Sequence, residues 1–320
     1  MDQTVVPVSV TNPVAIAVNN LPAYSQYGYS AWTTGPGVPC TKRTDIAAGY
    51  AGAPNAARLL TFFTMSDIHI ADKESPAQPL YVALESGFGG LASSAYSPVI
   101  LSTTHVLDAV DQTGYYMGVV LGSTPYGDIW GYGADTSFPQ PPMVVADANR
   151  LMIIAAHVPI NPGPDPGNNS VPSGQFFYTP YSVVTDTQLL TTLYQYPNLI
   201  LWLSGHRHVN VITPQAGADA QHSFWEVETS SLRDFPQQFR TFDIRRNTDN
   251  TISIVATDVD PAATPGSPAG KSRGYAVGAA RVFGVLAFTN TSPRVYNGEL
   301  VKELTPAMQA VIATVGTPMQ

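Results

Sequence analysis

Three short apolar runs, each leading into a histidine block, constrain the fold of this chain more than any other feature. Residues 59–66 (Leu-Leu-Thr-Phe-Phe-Thr-Met-Ser) lead into Asp67-Ile68-His69. Residues 151–156 (Leu-Met-Ile-Ile-Ala-Ala) lead into His157-Val158-Pro159, and residues 199–204 (Leu-Ile-Leu-Trp-Leu-Ser) lead into Gly205-His206-Arg207-His208. Short continuous apolar runs of this kind suit buried strands of a layered core. Strand side chains alternate faces, so residues two apart point the same way. Asp67 with His69, and His206 with His208, can therefore each converge on a point just past a strand end. One carboxylate and several imidazoles gathered there make a donor set suited to zinc, manganese or iron. The candidate metal ligands are Asp67, His69, His157, His206 and His208.

Composition narrows the class. A chain of 320 residues is long enough for one large domain, or one and a half, with a sizeable core. Only 12% of residues are charged, while 26 glycines and 28 prolines point to a loop-rich, strand-rich globular protein. A net charge of -8 argues against nucleic acid or an anionic membrane as the main partner. The single cysteine, Cys40, excludes an intrachain disulfide framework and a cysteine-based zinc site. No apolar stretch approaches the ~20 residues of a membrane span. The start of the chain lacks the basic region and apolar core of a signal peptide. Low charge with many Thr, Asn, Tyr and Pro is compatible with an exported or periplasmic protein as well as a cytoplasmic one, and oligomeric state is not legible.

Along the chain, residues 1–58 read as an extended N-terminal wrap with one short strand at 5–10. Residues 59–260 form the main domain, with strands at 59–66, 151–156 and 198–204. Helices are expected at 97–110 and 185–196, the latter capped by Thr185 or Asp186. Residues 115–121 are strand-like, and a long loop follows to Pro142. After His208 the pattern turns to β at 223–229, 239–245 and 251–258, with a hairpin turn at 246–250. Residues 261–270 read as a linker-like loop and 299–315 as a closing helix, so 261–320 packs on the same domain. Strands alternating with helices, then a run of antiparallel strands, give a layered α/β class.

In the order Asp-x-His, His, Gly-His-x-His, the blocks resemble the calcineurin-like metallophosphoesterases. The stretch from Phe224 to Pro236 (FWEVETSSLRDFP), with residues 66–107, is similar to an uncharacterised bacterial branch of that family. The resemblance implies a layered α-β-β-α sandwich with a β-rich C-terminal half and ligands on loops at one sheet edge. It also implies two divalent metal ions and hydrolysis of a small phosphomonoester or phosphodiester by metal-activated hydroxide. Asp67, His69 and His208 would hold one metal, and His157 and His206 the second. Two family blocks are absent. The only Gly-Asp pair, Gly127-Asp128, has its tyrosine, Tyr132, one place too far along, and the only Gly-Asn pair, Gly167-Asn168, is followed by Asn169. Those blocks supply the bridging carboxylate, an amide ligand and the histidine that protonates the leaving group. Members of the branch carry extra sequence where this chain runs 112–115 and 149–150, so internal elements of the sandwich can be missing.

Three classes stay open on the residues alone: an active phosphoesterase, a degenerate relative that binds metal or phosphate with little or no turnover, and a non-catalytic module. His105 and His222 read as structural or solvated, and Asp108 and Asp111 lie on the far side of a helix from any strand end. Asp128 and Asp135 read as turn residues. Glu226 and Glu228, two apart on a strand, read first as a solvent face and second as partners of the histidines. Arg207 is divided between a phosphate contact and a surface role.

Overall fold

The alternating and continuous apolar runs sort most of the strands into two sheets that share one core. The computed structural model describes residues 3–17, 20–66, 150–156, 159–160, 186–205, 207–232, 235–261, 263–282 and 293–319. Among them, β1 (Gln3–Pro7) and β2 (Trp32–Pro36) form an antiparallel ribbon, with helix α1 (Leu21–Gln26) between them in sequence. There follow β3 (Thr41–Arg43), β4 (Asn55–Thr64), β5 (Met152–Ala155), α2 (Asp186–Leu193), β6 (Leu199–Ser204), β7 (Val211–Gln215) and β8 (Phe224–Glu228). The C-terminal part carries β9 (Phe239–Asn247), β10 (Ile252–Val259), α3 (Pro268–Val282), α4 (Pro293–Tyr296), β11 (Asn297–Lys302), α5 (Pro306–Ile312) and β12 (Thr317–Pro318). Mixed sheets with few helices make this an α/β protein.

The four-stranded sheet has the order β5-β6-β8-β7. β5, β6 and β8 run parallel, and β7 is antiparallel to β8. Every residue of β6 is buried, as a strand covered on both faces requires. On one face, Leu201, Leu203, Trp225 and Val227 share a core with Phe242, Ile244, Ile254 and Leu300 of the six-stranded sheet. On the other, Leu199, Trp202 and Phe224 pack with Leu193 of α2 and with Ile160.

The six-stranded sheet has the order β12-β4-β9-β10-β11-β3. Strict alternation in β9 and β10 sends Phe242, Ile244, Ile252, Ile254 and Ala256 into the shared core. Asp243, on the opposite face of β9, pairs with Arg58 and Arg245. The hairpin between them closes where Asn250 adopts φ 62, and the Asp249 carboxylate accepts from the Thr251 backbone N–H at 3.1 Å. A short polar side chain tolerates that left-handed backbone better than most.

Several sequence expectations change. β4 begins at Asn55, not 59, and is not a buried strand: Leu60 is 48% exposed, because only two-residue β12 lies beyond it. The closing helix at 299–315 is instead β11, a turn and α5. Leu300, Leu304 and Met308 are spaced like a helix face, yet Leu300 enters the core from a strand. Thr305 caps a new helix with Pro306 in its first turn, its hydroxyl accepting from the Met308 N–H at 3.3 Å. The loop expected at 261–270 gives way to α3 at Pro268. That helix is rich in Ala and Gly, so its periodic apolar signal is weak, and its small side chains let α1 approach: a Cβ at Gly278 would lie 2.3 Å from Tyr24 Cδ2. Strands β2, β3 and β7 carry too little apolar patterning to be read from sequence. The helix at 97–110, the strand-like 115–121, Asp128, Asp135, His105 and Thr185 lie outside the described residues.

Candidate functional site

The carboxyl ends of four strands lie side by side at one sheet edge. Parallel register pairs Ala155 with Leu203 and Ser204 with Glu228, so β5, β6 and β8 end together. Past these ends the backbone stays joined. The Ala156 N–H donates to Leu203 O at 2.9 Å, and the Thr229 N–H donates to Ser204 O at 2.9 Å. The tail of β4 arrives on the far side of β8. Ser66 makes a parallel bridge with Ser231, the Leu232 N–H donates to Ser66 O at 3.1 Å, and the Thr64 and Thr229 hydroxyls are 3.3 Å apart. Ser66, Ala156 and Gly205 immediately precede the three candidate ligand blocks. They span three strand spacings, about 14 Å at ~4.8 Å each. Open α/β sheets bind ligands in this position, outside the carboxyl ends of parallel strands.

Asp67, His69, His157 and His206 lie outside the described residues. His208 is half-buried and adopts φ 59, in the left-handed region. Such backbone costs on the order of 1 kcal/mol for a residue with a side chain and is concentrated at functional sites. Topology explains the contortion. Residues 205–210 leave β6 and enter β7, two strands away, so they must cross the end of β8 in one short step. The Arg207 N–H donates to Gly205 O at 2.9 Å within this turn. Asn210 fastens its far end: Oδ1 accepts from the Ser230 N–H at 3.0 Å and from Arg240 at 3.1 Å, while Nδ2 donates to Gln238 at 2.7 Å.

Glu226 and Glu228 correct the solvent-face expectation. They are 4% and 1% exposed, on the face of β8 that carries Phe224. Glu226 Oε1 accepts the Ile160 backbone N–H at 2.7 Å, and Oε2 accepts from Gln215 Nε2 at 2.6 Å. Burial pushes the Glu226 carboxyl up to about 7, against the Gln215 and Ile160 hydrogen bonds that favour its charged form. Glu228 accepts from the Arg207 backbone N–H at 3.3 Å, from Nε at 2.9 and 3.1 Å, and from Nη2. Burial works against the Arg207 charge, but pairing with Glu228 wins and holds its pKa above the ordinary value. Arg207 is thus neither a bare phosphate contact nor a loose surface group.

Sequence reasoning undervalued these glutamates because alternation in Phe-Trp-Glu-Val-Glu looks like one wet face. The available signal was the companion arginine between two candidate ligands, since a buried carboxylate needs such a partner. His222, by contrast, sits in a surface turn with its Nδ1 at 2.8 Å from Asp219, as a structural role requires.

Above β8 lies a cavity of about 360 Å3, lined by Ile160, Leu190, Arg207, Gln215, Glu226 and Glu228 among others. Among the described residues no three His, Cys, Asp or Glu side chains form a group that could hold a metal. The donor types in the three blocks, one carboxylate and four imidazoles, fit zinc, manganese or iron. No helix among the described residues is long and apolar enough to cross a membrane. Comparison with protein-family profiles and with curated proteins finds no match.

Proposed function

We propose that this chain is a metal-dependent phosphoesterase of the calcineurin-like type, built as a layered α-β-β-α sandwich and acting on a small phosphomonoester or phosphodiester. Asp67, His69 and His208 would hold one divalent metal, and His157 and His206 a second. The observation that carries the reading is the row formed by Ser66, Ala156 and Gly205, from which three blocks far apart in sequence depart at one edge. The sharp turn at His208 supports it, because strain at a ligand-bearing turn is retained where geometry matters. When bound, divalent cations would supply positive charge for a phosphoryl group and a lowered pKa for water. The chain's own contribution is orientation: Asn210 and Glu228 brace the crossing turn that carries His208.

One observation favours a second reading, a relative that binds metal without useful turnover. The Gly-Asp-x-x-Asp and Gly-Asn-His blocks are absent, and with them a bridging carboxylate and a leaving-group acid. General acid catalysis alone contributes about 10²–10⁴-fold. The test is a manganese, iron or zinc titration with aryl-phosphate and bis-aryl-phosphate turnover, on this chain and on His208→Ala. Two equivalents with turnover support the enzyme, and one equivalent without turnover supports the second reading. Loss of the tightest metal in His208→Ala is expected in both. Absence of any metal binding refutes both.

A further inference from the structure

The two glutamates of β8 each hold a different segment that follows or carries a candidate histidine block. Glu226 accepts the backbone N–H of Ile160, three residues after His157. Glu228 accepts both the backbone N–H and the guanidinium of Arg207, between His206 and His208. Two apart on one strand, they share a face and lie a fixed distance of ~7 Å apart along it. One rigid strand therefore sets the separation of two segments that belong to different loops.

The geometry points to Glu226 and Glu228 as a pair of positioning residues, a clamp that holds Ile160, shortly after His157, and the Arg207–His208 turn in mutual register at the sheet edge. This rests on the metal-site reading above, in which both segments supply ligands. Three features support the assignment. Both carboxylates are buried, so they are costly to keep unless their bonds are needed. Both grip backbone N–H groups, which fixes chain position rather than a side-chain rotamer. Gln215 of neighbouring β7 occupies the second oxygen of Glu226 and prevents that carboxyl from rotating away. Groups that hold metal ligands in place typically contribute 10–100-fold to metal affinity.

The test combines backbone hydrogen exchange with cobalt binding in the full chain, using Glu226→Ala, Glu226→Gln, Glu228→Ala and Glu228→Gln. Glu226→Ala should speed exchange in peptides spanning 151–160 and leave 205–211 unchanged, and Glu228→Ala should do the reverse. Exchange in β9 and β10 should not move in either. Cobalt affinity should fall about 10–100-fold in both alanine variants, with an altered visible spectrum. Glu226→Gln keeps an acceptor oxygen for the Ile160 N–H and should restore both readouts; Glu228→Gln loses the charge pair and should restore them only in part. Exchange that rises throughout the domain, or cobalt binding unchanged in the alanine variants, overturns the clamp. Wild-type protein that binds no cobalt overturns the metal reading instead, and the segment-specific exchange pattern then decides the clamp by itself.

Discussion

Replacing Glu226 by glutamine should change how stability depends on pH, by an amount the structure sets. The carboxyl is buried in β8 and its pKa rises from 4.5 to about 7, with burial as the main cause. In the unfolded chain it returns to the ordinary value. A group that binds its proton more tightly when folded stabilises the fold fully below its unfolded pKa, near 4.5. That contribution is lost as pH rises, and the loss is complete above about 7. At about 1.4 kcal/mol per pH unit, the interval is worth about 3 kcal/mol. Glutamine has nearly the same shape, keeps an oxygen for the Ile160 N–H, and cannot ionise. Any fixed cost of the amide is the same at every pH, so the signal is the slope of the difference. Asp258, also pushed up to about 7 by burial, acts in the same direction in both proteins and cancels. The assay is urea denaturation in chelator from pH 4 to pH 8, followed by fluorescence of the buried Trp202 and Trp225. Glu226→Gln should gain about 3 kcal/mol on the wild type across that range. Parallel curves would refute the burial argument.

Trp225 is fully buried between the sheets, donates its indole N–H to Val301 O at 2.9 Å, and has the Arg43 guanidinium 4.8 Å from its ring. Trp225→Ala should cost about 3–5 kcal/mol in denaturant unfolding. Arg240 and Asp258 are both wholly buried and 3.4 Å apart. Arg240→Met should cost about 3–5 kcal/mol by leaving the carboxylate uncompensated, and adding Asp258→Leu should recover much of it. His208→Gly should lose its tightest metal yet keep a cooperative thermal transition, because glycine accepts φ 59 freely. Loss of both would show that His208 serves the fold rather than a ligand.

Much of the central sheet was legible because continuous apolar runs mark strands, although β6 is buried along its whole length and β5, at the sheet's edge, is partly exposed. Residues 151–156 and 198–204 correspond to β5 and β6, and 223–229, 239–245 and 251–258 to β8, β9 and β10, within the usual latitude of element ends. What escaped had physical reasons. α3 packs with Ala and Gly, which carry little periodic signal. β11 carries Leu300 at a spacing that a helix would also satisfy, and β7 is short and interrupted by Pro214. At the candidate site, the strand ends that precede the three blocks were legible, since the strands announce where they stop. The glutamate contacts were not, because they pair β8 with Ile160 and Arg207 across 66 and 21 residues of sequence. Local pattern cannot reveal that a charged residue is buried by a distant partner.

On the proposed function, the three histidine blocks gather a divalent metal at the edge formed by Ser66, Ala156, Gly205 and Thr229. Paramagnetic broadening of backbone amide signals by substoichiometric manganese tests it most directly. Broadening should be strong at Ser66, Ala156, Gly205 and Thr229, and much weaker at Met152, Leu199 and Phe224, where the same strands begin about 13–20 Å away. Broadening spread evenly along the strands, centred on their amino ends, or absent would contradict it.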